Sequence, residues 1–297
     1  MDVGLSVYDI AGAELVELGR AAEAAGFSTL WLGEHIILPV AYEAEHPATG
    51  GDANRSHLTR IVDPDTKLLD PLVALAAVAA VTDRIHLATG IYLVGMRHPL
   101  AVARMTLTLQ DVAGGRFMLG VGSGWLEEEF AALGIPFDER RSRYEEALAV
   151  LRAAWGGGEI AFAGKHVEFE HVLVTPEPVH VPLILGGNTE PALRRAARLA
   201  DGWFSSGTPS FDEAVRLTTR LAELCAEEGR PSLPAYVRMA GRDARVTQPA
   251  PEDSWAYDAA RRLALVTPAA REALAPARPA PPASAALVAA VVEAARA

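Results

Sequence analysis

The feature that most restricts the fold of this chain is a repeating alternation. Short apolar runs are each followed by a longer stretch with helical spacing. "VGLSV" (Val3–Val7) reads as a strand. "AELVELGRAAEAAG" follows, with Leu15, Leu18, Ala22 and Ala25 on one helical face and Gly26 as a stop. "TLWL", "IHLAT" (Ile85–Thr89), "FMLGV" (Phe117–Val121), "PLIL" (Pro182–Leu185), "GWFSS" and "AYVRMAG" continue the strand series. Asp70-Pro71 begins a helix to about Val81, with Asp at the cap and Pro at the first helical position. "SRYEEALAVLRAAWGG" and "FDEAVRLTTRLAELCAEEG" are further helices. Strands apolar on both faces imply a parallel sheet covered by helices. At 297 residues, the chain suits a single (β/α)8 TIM barrel with insertions. An open doubly wound sheet is the alternative.

An internal echo supports repetition. "AAEAAGFSTLWLG" and "AARLADGWFSSG" share one plan of Ala-rich helix, Gly turn, aromatic strand start and closing Gly. Two segments stand outside the simple pattern. Pro39–Leu69 is polar and Gly-rich, and follows the second strand, so in a barrel it overhangs the active face. Glu159–Val181 reads as an extended hairpin insertion. The division expected is a barrel domain over 1–248 and an Ala/Pro-rich segment over 249–297. The eighth unit is the weakest of the pattern, with its strand placed at "LALV" (Leu263–Val266) and an extended linker at Pro276–Pro282.

Composition narrows the class of function. The formal charge of −11 argues against nonspecific nucleic-acid binding, and an anionic ligand would need local donors. The single cysteine, Cys225, excludes an internal disulfide and a cysteine-built metal site. It shares a helical face with Leu221 and Leu224 and reads as core. A reducing, cytoplasmic setting is the expectation. "MDVGLSVYDI" carries an acid and no Lys or Arg before its apolar run, unlike a signal peptide. No uncharged apolar run reaches the ~20 residues of a membrane span. No metal-ligand spacing is present among the histidines, and no metal is expected.

Active sites of β/α barrels lie at the carboxyl ends of the strands. The second strand ends on Glu34 and His35, and a histidine there is either a proton carrier or a structural residue. The third breaks at Thr89-Gly90-Ile91, a bulge near a ligand or an ordinary turn. Arg97 and His98 follow as a loop ion pair or an anion site. The fourth ends "GVGSGW", whose Gly122, Ser123 and Gly124 let backbone N–H groups approach a ligand. The run Glu127–Glu129 reads as a solvated helix face. The fifth ends at Gly186, Gly187 and Asn188 before a helix, which is either a phosphate cradle or a Gly turn with Thr189 as N-cap. The residues alone therefore point to a barrel enzyme with a phosphate-bearing ligand and a strand-end histidine.

Several long motifs add to this in order: "GFSTLWLGEH", "DPLVALAAVAAVTDRIHLATGI", the stretch from "RHPLAVARMTL" through "GGRFMLGVGSGWLEEEF" to "YEEALAVLRAAW", and "PLILGGNTEPALRRAARLADGWF". Over about Met1 to Glu228 the chain resembles the bacterial luciferase-like monooxygenase superfamily, in the branch that uses the deazaflavin coenzyme F420. The resemblance implies a barrel holding a flavin or deazaflavin in its mouth. It makes His35 the catalytic residue, with Glu34 tuning it. It assigns Gly90-Ile91, with Thr89, to a bulge, often a non-proline cis peptide, behind the cofactor ring. Gly122, Ser123 and Gly124 match a contact to the cofactor side chain. Arg143 and Tyr144 match an Arg-Tyr pair near the phosphate in some flavin-using members, and Gly187 and Asn188 match the phosphate cradle, beside Gly186.

The implied reaction is hydride transfer between C5 of F420 and a small organic substrate. An FMN-dependent monooxygenase is the near alternative, and a non-catalytic or decayed flavin-binding barrel the distant one. A homodimer is expected from the resemblance. Sugar-phosphate dehydrogenases of the superfamily carry a Glu just after the fourth-strand glycines, where this chain has Trp125, which speaks against that activity. The Ala/Pro-rich tail after Pro249 also departs from the family pattern.

Overall fold

A computed structural model describes residues 4–44, 66–207 and 209–238. The expected eighth strand, the segment 249–297 and most of Pro39–Leu69 lie outside the described residues. The chain runs β1 (Gly4–Val7), α1 (Gly12–Ala24), β2 (Thr29–Leu32), α2 (Pro71–Ala79), β3 (His86–Thr89), α3 (Pro99–Val112), β4 (Phe117–Val121), α4 (Glu127–Ala132), α5 (Arg140–Trp155), β5 (Glu159–Ala163), β6 (Glu168–Leu173), β7 (Leu183–Gly186), α6 (Glu190–Leu199), β8 (Gly202–Phe204), α7 (Phe211–Glu227) and β9 (Ala235–Tyr236). Seven strands form one sheet in the order β1-β2-β3-β4-β7-β8-β9. Each neighbouring pair in it is parallel.

The sheet is curled as in a TIM barrel. In a flat sheet with strands about 4.8 Å apart, β2 and β9 would lie roughly 24 Å from each other. Instead the rings of Trp31 on β2 and Tyr236 on β9 have centroids 4.9 Å apart. Phe204 on β8 packs against the same indole at 4.6 Å. Strand alternation sorts the side chains. Leu30, Leu32, Leu87, Leu119, Val121, Leu183, Leu185 and Trp203 face the helices. Trp31, Ala88, Met118, Ile184 and Phe204 fill the inside of the curl. Both faces are apolar, so the strands read as continuous apolar runs.

Local signals account for the helix boundaries. Asp70 Oδ1 accepts from the N–H groups of Leu72 and Val73, and Pro71 opens α2. The helix α3 went unassigned in the sequence reading, yet it uses the same device. His98 Nδ1 accepts from Leu100 N at 3.3 Å and Pro99 takes the first position. His98 is thus a helix cap rather than part of an anion site. Cys225 is fully buried, as its spacing implies.

The hairpin expected after α5 is present as β5 and β6, an antiparallel pair separate from the main sheet. It folds back along α5. Glu146 on α5 accepts from the N–H groups of Lys165, His166 and Val167 in the hairpin turn.

A similar carboxylate ties α1 to β3. Glu23 accepts from Asp83 N, Arg84 N and Ile85 N at 2.6 to 3.2 Å. Burial pushes its carboxyl up, but those three backbone donors outweigh it and hold it below the ordinary 4.5. A depressed acid contributes stability above its unfolded pKa and loses it as pH falls through the folded value. Glu23→Gln is therefore expected to cost about 1–2 kcal/mol at pH 7. Urea denaturation across pH should show the difference closing below pH 4.5.

Candidate active site

The carboxyl ends of the parallel strands bring most of the expected residues to one rim. At β2 the chain turns through Gly33 into Glu34 and His35, both only 7% exposed. Adjacent residues on an extended chain point opposite ways, and these two do. Glu34 takes Leu93 N at 2.7 Å and Arg97 Nη2 at 2.6 Å. Burial pushes its carboxyl up, and the Arg97 charge opposes that shift. Arg97 therefore forms the ion pair that its loop position allowed, and its guanidinium also lies 4.3 Å from the Tyr92 ring centre.

His35 turns to a different carboxylate. Its Nδ1 lies 2.9 Å from Glu129 Oε2. Glu129 Oε1 accepts from Ile36 N and from Ile37 N. The solvated face expected for Glu127–Glu129 is thus corrected at Glu129, which is 1% exposed. Glu128 likewise faces the protein and accepts from Glu43 N at 2.7 Å. The acidic run at the start of α4 clamps the loop that leaves β2. It was invisible in the sequence because three consecutive acids carry no periodic signal of which one turns inward. The expected tuning of His35 by Glu34 is also corrected: the carboxylate in contact is Glu129. A carboxylate can only accept, so Nδ1 carries the proton and Nε2 is left for other chemistry.

Aromatic rings flank His35. Tyr8, just past β1, and Trp125, just past β4, meet it edge-on at centroid distances of 6.0 and 5.9 Å. Tyr42 meets Trp125 at 6.0 Å. The Tyr8 hydroxyl is enclosed without a hydrogen-bond partner, and burial pushes the phenol up, aided by the Glu129 charge. The sequence reading missed Tyr8, which carries no motif.

The third strand breaks as the glycine suggested. The Gly90–Ile91 peptide is cis. Pairing between β3 and β4 passes from Ala88↔Met118 to Tyr92↔Val121, four steps on one strand against three on the other, which defines a bulge. Thr89 is fully buried, and its hydroxyl donates to Gly120 O at 2.7 Å. It braces the rim and offers no side-chain contact to a ligand.

Next to the Trp31–Phe204 contact the strand ends carry Gly90, Gly122 and Gly186. A Cβ on Gly90 would meet Phe204 Cζ at 3.4 Å and one on Gly186 would meet Ile91 Cγ2 at 3.3 Å. On Gly122 it would lie 2.7 Å from Ile91 Cδ1. The Ile91 side chain thus packs across Gly122 and Gly186, and Phe204 across Gly90, so these strand ends present mainly backbone and apolar side chains. Ser123 and Gly124 follow Gly122, and Gly124 has a φ of +79° that favours glycine. These features suit a flat ring system.

The remaining expected residues are committed within the protein. Gly187 N donates to Phe204 O at 3.3 Å, and the Asn188 amide joins Ser206 N and Ser206 O, both at 2.8 Å. The first turn of α6 adds few donors for a phosphate, because Pro191 has no N–H and Ala192 N donates to Thr189 O at 2.9 Å. Thr189 is the N-cap of α6 but makes no side-chain cap bond. Arg143 is tied to Glu139 at 2.8 Å, and Tyr144 is buried. Gly95, just past β3, keeps Tyr144 close, since a Cβ there would lie 3.2 Å from Tyr144 N. Among the described residues no cluster of His, Cys, Asp or Glu is arranged to hold a metal. None of the described helices is long and apolar enough to cross a membrane.

The luciferase-like monooxygenase family matches residues 3–237, and the chain belongs to that family. An uncharacterized protein of Mycobacterium tuberculosis is 38% identical over 202 residues, covering 67% of this chain and 70% of that protein. An F420-dependent glucose-6-phosphate dehydrogenase of Beutenbergia cavernae is 32% identical over 203 residues, 67% of this chain and 54% of the relative. Among solved structures, the coenzyme F420 dependent tetrahydromethanopterin reductase of Methanopyrus kandleri superposes with a TM-score of 0.61. That match has 21% identity and covers 79% of this chain and 64% of the reductase chain. At that identity the likeness concerns the fold alone.

The Glu129 clamp generates a prediction. Glu129→Ala leaves the Ile36 and Ile37 amides and the His35 ring without their acceptor. A loss of about 2–4 kcal/mol is expected in guanidinium denaturation. Glu128→Ala, at a more open position, is expected to cost less than about 1 kcal/mol.

Proposed function

We propose that this chain is a coenzyme F420-dependent oxidoreductase acting on a small organic substrate. The observation that carries the reading is the set of glycine-bearing strand ends beside His35, with the Gly90–Ile91 bulge among them. When bound, the deazaflavin supplies or accepts a hydride. The protein positions the reactants and manages the coupled proton. His35 is the proton carrier, because Glu129 holds Nδ1–H and frees Nε2. Tyr8 and Trp125 shield the imidazole from water at its edges. The Glu34–Arg97 pair fixes the strand end from which His35 projects. Trp125 stands where the sugar-phosphate dehydrogenases place an acid, which supports a substrate other than a sugar phosphate.

The second reading is an FMN-dependent monooxygenase, favoured by the family to which the chain belongs. Deazaflavin reacts poorly with oxygen, so the two readings separate experimentally. Fluorescence titration with F420 and with FMN is expected to give the tighter binding for F420. Oxygen uptake should be absent when alcohols, aldehydes and enones are screened with F420 in its oxidised and reduced forms. His35→Ala is expected to reduce turnover about 10²-fold or more, with F420 affinity unchanged. Binding of FMN alone would replace the F420 reading. Undiminished turnover in the variant would remove His35 from the reaction.

A further inference from the structure

We propose that Arg238 anchors an oxyanion, a carboxylate or a phosphate, inside the mouth of the curled sheet. The case begins with the alternation on β9. Tyr236 points inward, since its ring meets Trp31 and its hydroxyl reaches Met118 Sδ at 3.7 Å. Val237 packs against the helix-side core. Carried two residues past the end of β9, the same alternation puts Arg238 on the inner side. Its backbone is fixed there, with Arg238 N donating to the fully buried Ser205 hydroxyl at 2.8 Å.

One nitrogen of the half-buried guanidinium is left unmatched among the described residues. Nε is shut off from solvent and has no hydrogen-bond partner. Among the described residues no carboxylate pairs with it. Other enclosed arginines of this fold are treated differently. Arg97 holds Glu34, Arg116 holds the carbonyls of Thr82 and Ile85, and Arg230 holds those of Ala197 and Ala200. An arginine cannot shed its proton, so enclosed and unmatched donors are costly. Burial alone drives its pKa down, with no compensating charge. The two carboxylates nearest the reacting side of the rim, Glu34 and Glu129, are already committed. A carboxylate or a phosphate entering the mouth would offer two oxygens for the two parallel bonds that the fork is built to make.

The proposal rests on the mouth being the ligand site, as the proposed function holds, but its test does not require F420 to bind. The full chain and the variants Arg238→Gln and Arg238→Lys are titrated by calorimetry with inorganic phosphate and with acetate, then with F420 and FMN. At least one anion is expected to bind the wild type and raise its melting temperature. Arg238→Gln should weaken that binding about tenfold or more, with Arg238→Lys in between because it keeps charge but loses the fork. Cofactor affinity unchanged in the variants assigns the oxyanion to the substrate. A matching loss of cofactor affinity, with phosphate competing against cofactor, assigns it to the cofactor. Anion and cofactor affinities that are the same in the wild type and both variants overturn the proposal. So does a wild type that binds neither anion while the variants keep its cofactor affinity. Should Arg238→Gln fail to fold, Arg238→Lys decides the matter. A wild type that binds phosphate through Arg238 but binds no F420 would sink the F420 reading and leave this one standing.

Discussion

A parallel sheet curled upon itself must fill its own interior, and here one aromatic contact does so. Trp31 comes from β2, far along the sheet from the neighbouring strands β8 and β9 that carry Phe204 and Tyr236, and its indole meets both rings inside the curl. Their rings plug the inside of the curl at mid-height. Around them the strand ends carry Gly90, Gly122 and Gly186, against which Phe204 and Ile91 pack closely. The same arrangement that stabilises the sheet, large rings inside and glycines at the strand ends, leaves Ile91 and the backbone as the surface next to His35.

Around that surface, acids perform work that their exposure in the sequence does not suggest. Glu129 joins the start of α4 to the His35 ring and to the loop beyond it. Glu128 secures the same loop further along. Glu34 is held by Arg97. The rim is thus a set of cross-strand ties in which the end of each strand fixes its neighbour. His35 is oriented because two strands and one short helix agree on its position, and Nε2 is defined by exclusion.

The fold was largely legible because its signals are local or periodic. Apolar runs mark the strands, and β4 appears over the residues that its sequence implied. The Asp70-Pro71 cap, the hairpin after α5 and the core position of Cys225 follow from similar evidence. The helix α3 escaped because its cap is a histidine, which resembles a functional residue as readily as a structural one. The site was legible as a list of strand ends but not as a set of partners. Hydrogen bonding between Glu129 and His35 spans 94 residues of chain, and no pattern within a strand or helix can announce it. The same holds for Tyr8, which has no motif around it, and for Arg238, whose solitude is a fact about its surroundings.

By itself the sequence determined the order of strands and helices, the parallel character of the sheet and the glycine turns where it ends. These depend on periodicity and on backbone freedom, which are properties of neighbouring residues. Tertiary structure alone decided that His35 answers to Glu129 and Glu34 to Arg97, that the Thr89 hydroxyl is spent on Gly120 O, and that Arg238 Nε is enclosed with no partner among the described residues. Those outcomes depend on curvature, because bending the sheet brings distant strand ends within hydrogen-bond reach. Curvature is a property of the whole sheet, which no single stretch of residues contains.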